Sequence, residues 1–281
     1  MTFSLVGRSP DGSALGVAVA SKFLAAGAYV PAAAADAGAL ATQAHVNLEL
    51  KTRGLAMLRE GVAAGELLQR FFDADPDRAE RQAGVVDRDG RAATFTGERA
   101  QHWAGGRTGE GPEGSFAAQG NLLAGPGVVD AMVDAWLASA AEPDLARRLV
   151  AALAAGQDAG GDPRGKQAAA VLVVSAGGGY GGLGDVVVDL RSDDHPEPIG
   201  ELTRMLDLHD LYFGSTPAEQ LLAHTPELDG ELVRRLAATG YASGDLGRDL
   251  YDWMGRENFE ERWHDDRIDP VVLEHLRRTT G

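Results

Sequence analysis

The chain contains no cysteine. Disulfides, thiolate metal sites and a cysteine nucleophile are therefore excluded. It is also short of basic side chains, with 26 Lys and Arg against 42 Asp and Glu, a net charge of −16 over 281 residues. That balance argues against nucleic acid and against an anionic membrane surface as partners. No apolar run is long enough to span a bilayer. Residues 14–35 are alanine-rich, but Lys22 interrupts them, and Asp11 stands where a secretion signal carries basic residues. The segment reads as mature protein, and the protein as cytoplasmic. The 7 histidines show no paired metal spacing. His209 with Asp207 and Asp210, and His264 with Asp265 and Asp266, read as helix-surface charges. Gly179, Gly181 and Gly184 match G-x-G-x-x-G, but the strand-like DVVVDL follows where a dinucleotide site needs a helix. These glycines read as a hairpin loop. No metal and no cofactor are expected.

What is present is a chain 44% hydrophobic, enough for a sizeable core in one large domain or two. Thr2 to Ser21 alternates apolar and small residues at period two on either side of Pro10, Asp11 and Gly12, which predicts two strands and a tight turn. Residues 37–46 predict a third strand. Asn47 is placed to cap a helix through Arg59, and a second helix follows over 65–73. Residues 83–87 and 92–96, joined by Arg88, Asp89 and Gly90, predict a hairpin. A glycine-rich loop is expected over 104–114, strand character over 116–123, and two helices opening at Pro126 and Pro143. A polar glycine loop over 156–167 leads into the strands AAAVLVV and VVVDL. Strands and helices come in blocks rather than strict alternation. That predicts an α+β protein of antiparallel sheets, two sheets face to face with helices outside, in an αββα order.

Residues 191–214 read as a linker and connecting helix between a core, 1–190, and a small helical module, 215–281. Thr2 follows the initiator Met, which is usually trimmed before so small a residue. A threonine whose base is its own amine is an activated nucleophile; equally, Thr2 is simply the second residue of a protein.

The stretches TFSLVGR, GALATQAHVN, VVDRDGRAATFTG, AAQGNLLAG and GGDPRGKQAAAVLVV occur in this order over about residues 1–190. Together they resemble the domain of unknown function 1028 family. YDWMGRENFEERW in the C-terminal module resembles the peptidoglycan-binding segment often attached to that family. The resemblance implies the four-layer αββα fold of the N-terminal nucleophile hydrolases. It also implies an amide-bond hydrolase using Thr2 on a small-molecule or peptide-like substrate. The alternative is a ligand-binding or assembly protein that keeps the fold without the chemistry.

In the hydrolase plan Thr2 attacks an amide carbonyl, with Ser4, on the same strand face, as its backup. Gln43, Asn47, Gln119 and Asn121, and the loop residues Asp162, Arg164 and Gln167, are candidates to line the substrate pocket. Arg164 is suited to clamp a carboxylate. Any one of the amides is equally explained by a satisfied core or turn hydrogen bond, and Asp162 with Arg164 by a surface ion pair. Lys22 is a cation near the amine or a solvated strand-end lysine.

The C-terminal module carries 14 acidic and 8 basic side chains, a net −6, which opposes anionic cell-wall polymers. Cell-wall binding is therefore not expected. Leu221, Leu222, Leu232, Leu236, Leu250, Tyr251, Trp253, Met254, Phe259 and Trp263 are more apolar surface than so small a module buries easily alone. The segment is expected to pack against the core or against a second subunit, and the protein to be a homo-oligomer, in the simplest case a dimer.

Overall fold

The computed structural model describes residues 2–100 and 102–281. Met1, and with it the expected trimming of Met1, lies outside the described residues. The chain forms two compact units, one up to Leu206 and one over Asp207–Gly281, the division falling inside a helix.

In the first unit β1 (Thr2–Arg8) and β2 (Ala14–Ser21) form the predicted hairpin. A single turn, α1 (Ala26–Tyr29), leads into β3 (Pro31–Ala34) and β4 (Gly38–Ala44). A π-type turn at Leu50–Gly54 runs into α2 (Leu55–Arg59), and α3 (Ala64–Asp73) follows. Next come β5 (Arg81–Asp87), β6 (Ala92–Thr96), β7 (Trp103–Gly109) and β8 (Ser115–Leu123). The unit continues with α4 (Gly127–Ala138), α5 (Leu145–Asp158), β9 (Ala168–Ser175), β10 (Val186–Ser192) and the first part of α6 (Pro198–Phe213). A six-stranded sheet has the order β10-β9-β2-β1-β8-β7 and a four-stranded sheet the order β3-β4-β5-β6. All neighbouring strands are antiparallel. The protein is thus a mixed α/β structure of antiparallel sheets and helices, as the block order predicts.

Strand periodicity sorts the core into three layers. Phe3 and Leu5 of β1 pack with Val129, Met132 and Trp136 of α4 and Leu149 and Leu153 of α5. One residue out of step, Val6 packs with Val17 and Val19 of β2 and with Ala39, Ala41 and Val86 of the four-stranded sheet. On the far side of that sheet, Leu40 and Val85 pack with Leu58, Leu67, Leu68 and Phe72 of α2 and α3. The order through the unit is helices, sheet, sheet, helices. Leu5 and Val6 are both wholly buried, on opposite faces. At about 1.5–3 kcal/mol for each buried apolar side chain, slipping β1 by one residue would cost several such contacts at once.

The glycine-rich stretch 104–114 departs from expectation. Most of it is strand, and at Gly106 and Gly109 the neighbours of β7 stand too close for a side chain. A Cβ at Gly109 would meet the Phe116 ring at 2.3 Å, and one at Gly106 would meet Thr94 Oγ1 at 2.8 Å. The G-x-G-x-x-G stretch is the β9–β10 loop, with Gly181, Gly182 and Gly184 all left-handed.

The second unit holds β11 (Leu222–Ala223), α7 (Pro226–Ala238), α8 (Leu246–Arg256), β12 (Arg267–Ile268) and α9 (Pro270–Thr280). Thr225, Asp245 and Asp269 cap the three helices, accepting from the backbone N–H of Leu228, Arg248 and Val271. Here the expectation from apolar excess is corrected. Leu232, Leu236, Leu250, Trp253, Met254 and Phe259 are buried against one another and against Ile268, Val272, Leu273 and Leu276. The unit has its own core, so these side chains are not surface waiting for a second subunit. Of the residues named, Tyr251 stays well exposed. Among the described residues no helix is long and apolar enough to cross a membrane.

Candidate functional site

The layer between the two sheets changes character along its length. At one end it is valine and alanine; at the other it is polar. Thr2 and Ser4 face it from β1, Ser21 from β2, and Gln119 and Asn121 from β8. Register places Thr2 opposite both Ser21 and Asn121, and Ser4 opposite Gln119. From the other sheet come Gln43 of β4 and Gln82 of β5, themselves paired. Ser4, Gln43, Gln82, Gln119 and Asn121 are all buried.

Buried amides must find partners, and these bond across the sheets. Ser4 Oγ donates to Gln43 Oε1 at 2.7 Å and accepts from Gln119 Nε2 at 2.6 Å. Gln43 Nε2 and Asn121 Nδ2 both donate to Gln82 Oε1, at 2.8 and 2.9 Å. Gln82 Nε2 donates to Gly120 O at 2.7 Å. Gln43 Nε2 also reaches Thr2 O at 3.4 Å, tying the network to the first strand's end.

Thr2 lies where this polar layer opens into a cavity of about 720 Å³. Its Oγ1 lies 2.9 Å from Ser21 Oγ. Thr2, Ser21 and Asn121 line one wall, with His45, Glu80 and Arg81 among the residues on another. Lys22, Phe23, Tyr29, Arg99 and Arg164 also face in. Two lining residues, Ala44 (φ 63°) and Leu122 (φ 58°), are left-handed without being glycine, and Ala25 (φ 52°) adjoins the lining Ala26. Such conformations cost of order 1–3 kcal/mol each and gather where a site imposes its geometry.

Arg81 is held by Asp75 at 3.0 Å. Burial raises the Asp75 pKa, but hydrogen bonds from Arg81, Asn47 and the Asp77 N–H outweigh it and keep the carboxyl below its usual range. Arg99 stands 3.8 Å from Glu80, which also pairs with His45 at 2.7 Å.

The sequence candidates divide. Thr2, Asn121 and Arg164 line the cavity. Ser4, Gln43 and Gln119 form the buried network behind it. Asp162 is buried and accepts from the Lys22 N–H and from Arg164, whose fork it takes at 3.2 and 3.0 Å. The carboxylate Arg164 clamps is thus one of the chain's own. Asn47 lines a neighbouring depression, donating to Asp75 and accepting the Glu49 N–H. Gln167 is directed elsewhere, donating to Asp194 at 3.2 Å. Sequence reasoning missed Gln82 and Ser21. Gln82 shares strand parity with Gly84 and Val86, which was the available signal; Ser21 shares it with Val17 and Val19.

A family model described as a family of unknown function (DUF1028) matches residues 2–202. The chain belongs to the DUF1028 family. A protein of this family from Silicibacter pomeroyi has a similar crystal structure, with a TM-score of 0.66 and 33% identity. The similarity covers 74% of this chain and 89% of that one. Beyond the DUF1028 region, residues 217–276 match a second model, described as "Putative peptidoglycan binding domain". No curated protein matches the chain.

Proposed function

We propose that this DUF1028 protein is an amide-bond hydrolase acting on a small-molecule or peptide-like substrate, with Thr2 as nucleophile on an αββα core of the N-terminal nucleophile type. The observation that carries this reading is the placement of Thr2 in the wall of the cavity of about 720 Å³, its hydroxyl 2.9 Å from Ser21 Oγ. Loss of Met1 frees the Thr2 amine. That amine then takes the hydroxyl proton as the oxygen attacks the amide carbon, and returns it to the leaving nitrogen; water, deprotonated by the same amine, then cleaves the acyl-Thr2 ester and releases the acid. Ser21 orients the hydroxyl. Asn121, opposite Thr2 on β8 and lining the same cavity, is the candidate amide donor to the oxyanion. The Ser4–Gln43–Gln119 bridge fixes the strand end on which the nucleophile stands.

Intact mass of the native protein, followed by an amide panel run on wild type and Thr2→Ala, tests this. The expected result is a mature chain starting at Thr2 and activity lost in the variant. Equal activity in both, or Met1 retained in the native protein, would remove Thr2 from the chemistry and favour a ligand-binding protein on the same fold.

A further inference from the structure

We infer that the cavity beside Thr2 takes amides bearing a carboxylate at one end and an apolar or aromatic group at the other. Lys22 is the carboxylate anchor, and Phe23 with Tyr29 is the apolar wall. This rests on reading the cavity as the substrate site.

The charge pattern comes first. In a chain of net −16, the charged side chains facing the cavity include Lys22, Arg81, Arg99 and Arg164, against one carboxylate, Glu80, among the described residues. They are not equally available. Arg81 is committed to Asp75 and Arg164 to Asp162, while Arg99 has the loose contact with Glu80. Lys22 has no carboxylate within ion-pair reach among the described residues; its Nζ meets only the carbonyl of Lys166, at 3.3 Å. An ammonium on a flexible stem, held by one neutral acceptor, gives up little on turning to a substrate carboxylate. Lys22 also follows Ser21 directly, so the anchor sits next in the chain to the residue that holds the nucleophile's hydroxyl.

The second observation is independent of charge. Phe23 and Tyr29, at the same cavity, are 56% and 42% exposed and meet edge to face with centroids 5.8 Å apart. An aromatic pair left open beside a cationic wall fits an amphipathic ligand rather than a sugar or a simple inorganic anion. N-acylated amino acids and short peptides with a free carboxylate are the class that combines an amide, a carboxylate and an apolar group in this volume.

The test uses full-length Thr2→Ala protein, so that binding is read without turnover. The probes are N-benzoylglycine and its methyl ester, which share ring and amide and differ in charge. Calorimetry should show the acid binding at least tenfold more tightly than the ester. Adding Lys22→Met should bring the two within threefold, Lys22→Arg should restore the preference, and Phe23→Ala should weaken both alike. Equal binding of acid and ester, a preference that survives Lys22→Met, or no binding of either probe would overturn the inference. Wild-type turnover separates this from the hydrolase reading. Binding with the expected preference but no cleavage by wild type leaves the ligand class standing and removes the nucleophile. Cleavage of neutral amides without charge preference does the reverse.

Discussion

Gly84 of β5 lies against the Gln119 amide of β8: a Cβ at position 84 would sit 1.9 Å from Gln119 Oε1. That oxygen is buried and has no hydrogen-bond donor among the described residues. The two sheets therefore meet here at a distance only a glycine permits. Gly84→Ala should push the Gln119 side chain off Ser4 and cost about 1–3 kcal/mol, as overpacking does. Urea denaturation of the variant checks this, and stability equal to wild type would mean the amide has room to move.

Ser4 is both donor to Gln43 and acceptor from Gln119. Ser4→Ala should cost about 1–3 kcal/mol, because it leaves the buried Gln43 Oε1 without its donor and Gln119 Nε2 with only its 3.3 Å bond to the Ser4 carbonyl. Replacing the set together, Ser4→Ala with Gln43→Met and Gln119→Met, should cost less than the three single changes summed. A set that costs as much as that sum would show that the three do not act as one network.

Glu231 of α7 accepts from Arg277 of α9 and from Arg235 one turn on. Those hydrogen bonds hold its carboxyl down at about 2, from an ordinary 4.5. A depressed acid stabilises the folded state above its unfolded pKa, and the contribution disappears as pH falls from about 4.5 to about 2. The pair is at the surface, so salt should weaken the effect. Denaturation of the second unit, followed by tryptophan fluorescence from pH 7 to pH 3, should show a shallower acid limb in Glu231→Gln than in wild type. Parallel limbs would assign the acid sensitivity to other carboxylates.

Arg262 is buried in the second unit. It donates to Asp269 at 2.9 Å, to Leu211 O at 2.6 Å, and to Thr216 and the Asp210 carbonyl. Asp269 is buried as well and caps α9. Arg262→Met leaves that carboxylate without its cation, and should destabilise the unit by about 3–5 kcal/mol. Arg262→Met combined with Asp269→Asn should recover part of the loss. No recovery would mean the guanidinium matters through the carbonyls of Asp210 and Leu211 instead.

Legibility in the sequence followed how local the physics is. The β1–β2 hairpin is readable because Val17 and Val19 alternate with small residues and a Pro-Asp-Gly turn precedes them. Thr2, Ser4, Gln43, Gln119 and Asn121 are readable as polar interruptions of apolar strands. β7 is not, because its glycines answer to Phe116 and Thr94, which are remote until the sheet forms. Arg164 was legible both as a clamp and as the ion-pair partner of Asp162; that Asp162 is buried rather than on a surface turn was not. Nor could composition tell a second core from an exposed apolar surface, since Trp253 and Phe259 suit either. The helix predicted from Asn47 through Arg59 is present, with Asn47 Oδ1 accepting the Glu49 N–H at its start; its π-type turn and the second partner of Asn47 were not legible. Asn47 also bonds Asp75, far along the chain, and the π-type turn at Leu50–Gly54 continues unbroken into α2.

The half-apolar, half-amide layer between the sheets also constrains how this chain can diverge. At its aliphatic end Val6, Val17 and Val86 answer only to volume, so a larger aliphatic at one of them costs about 1–3 kcal/mol and is offset by a smaller neighbour. At the amide end each residue's partner stands on another strand, often on the other sheet, and a lone exchange leaves an orphan that no nearby shift repairs. A combinatorial library over both ends, selected for folding, should return the aliphatic positions as choices bound only by their summed volume. Ser4, Gln43, Gln82 and Gln119 should come back as linked sets, so that neutral drift passes easily through one end and is nearly frozen beside Thr2.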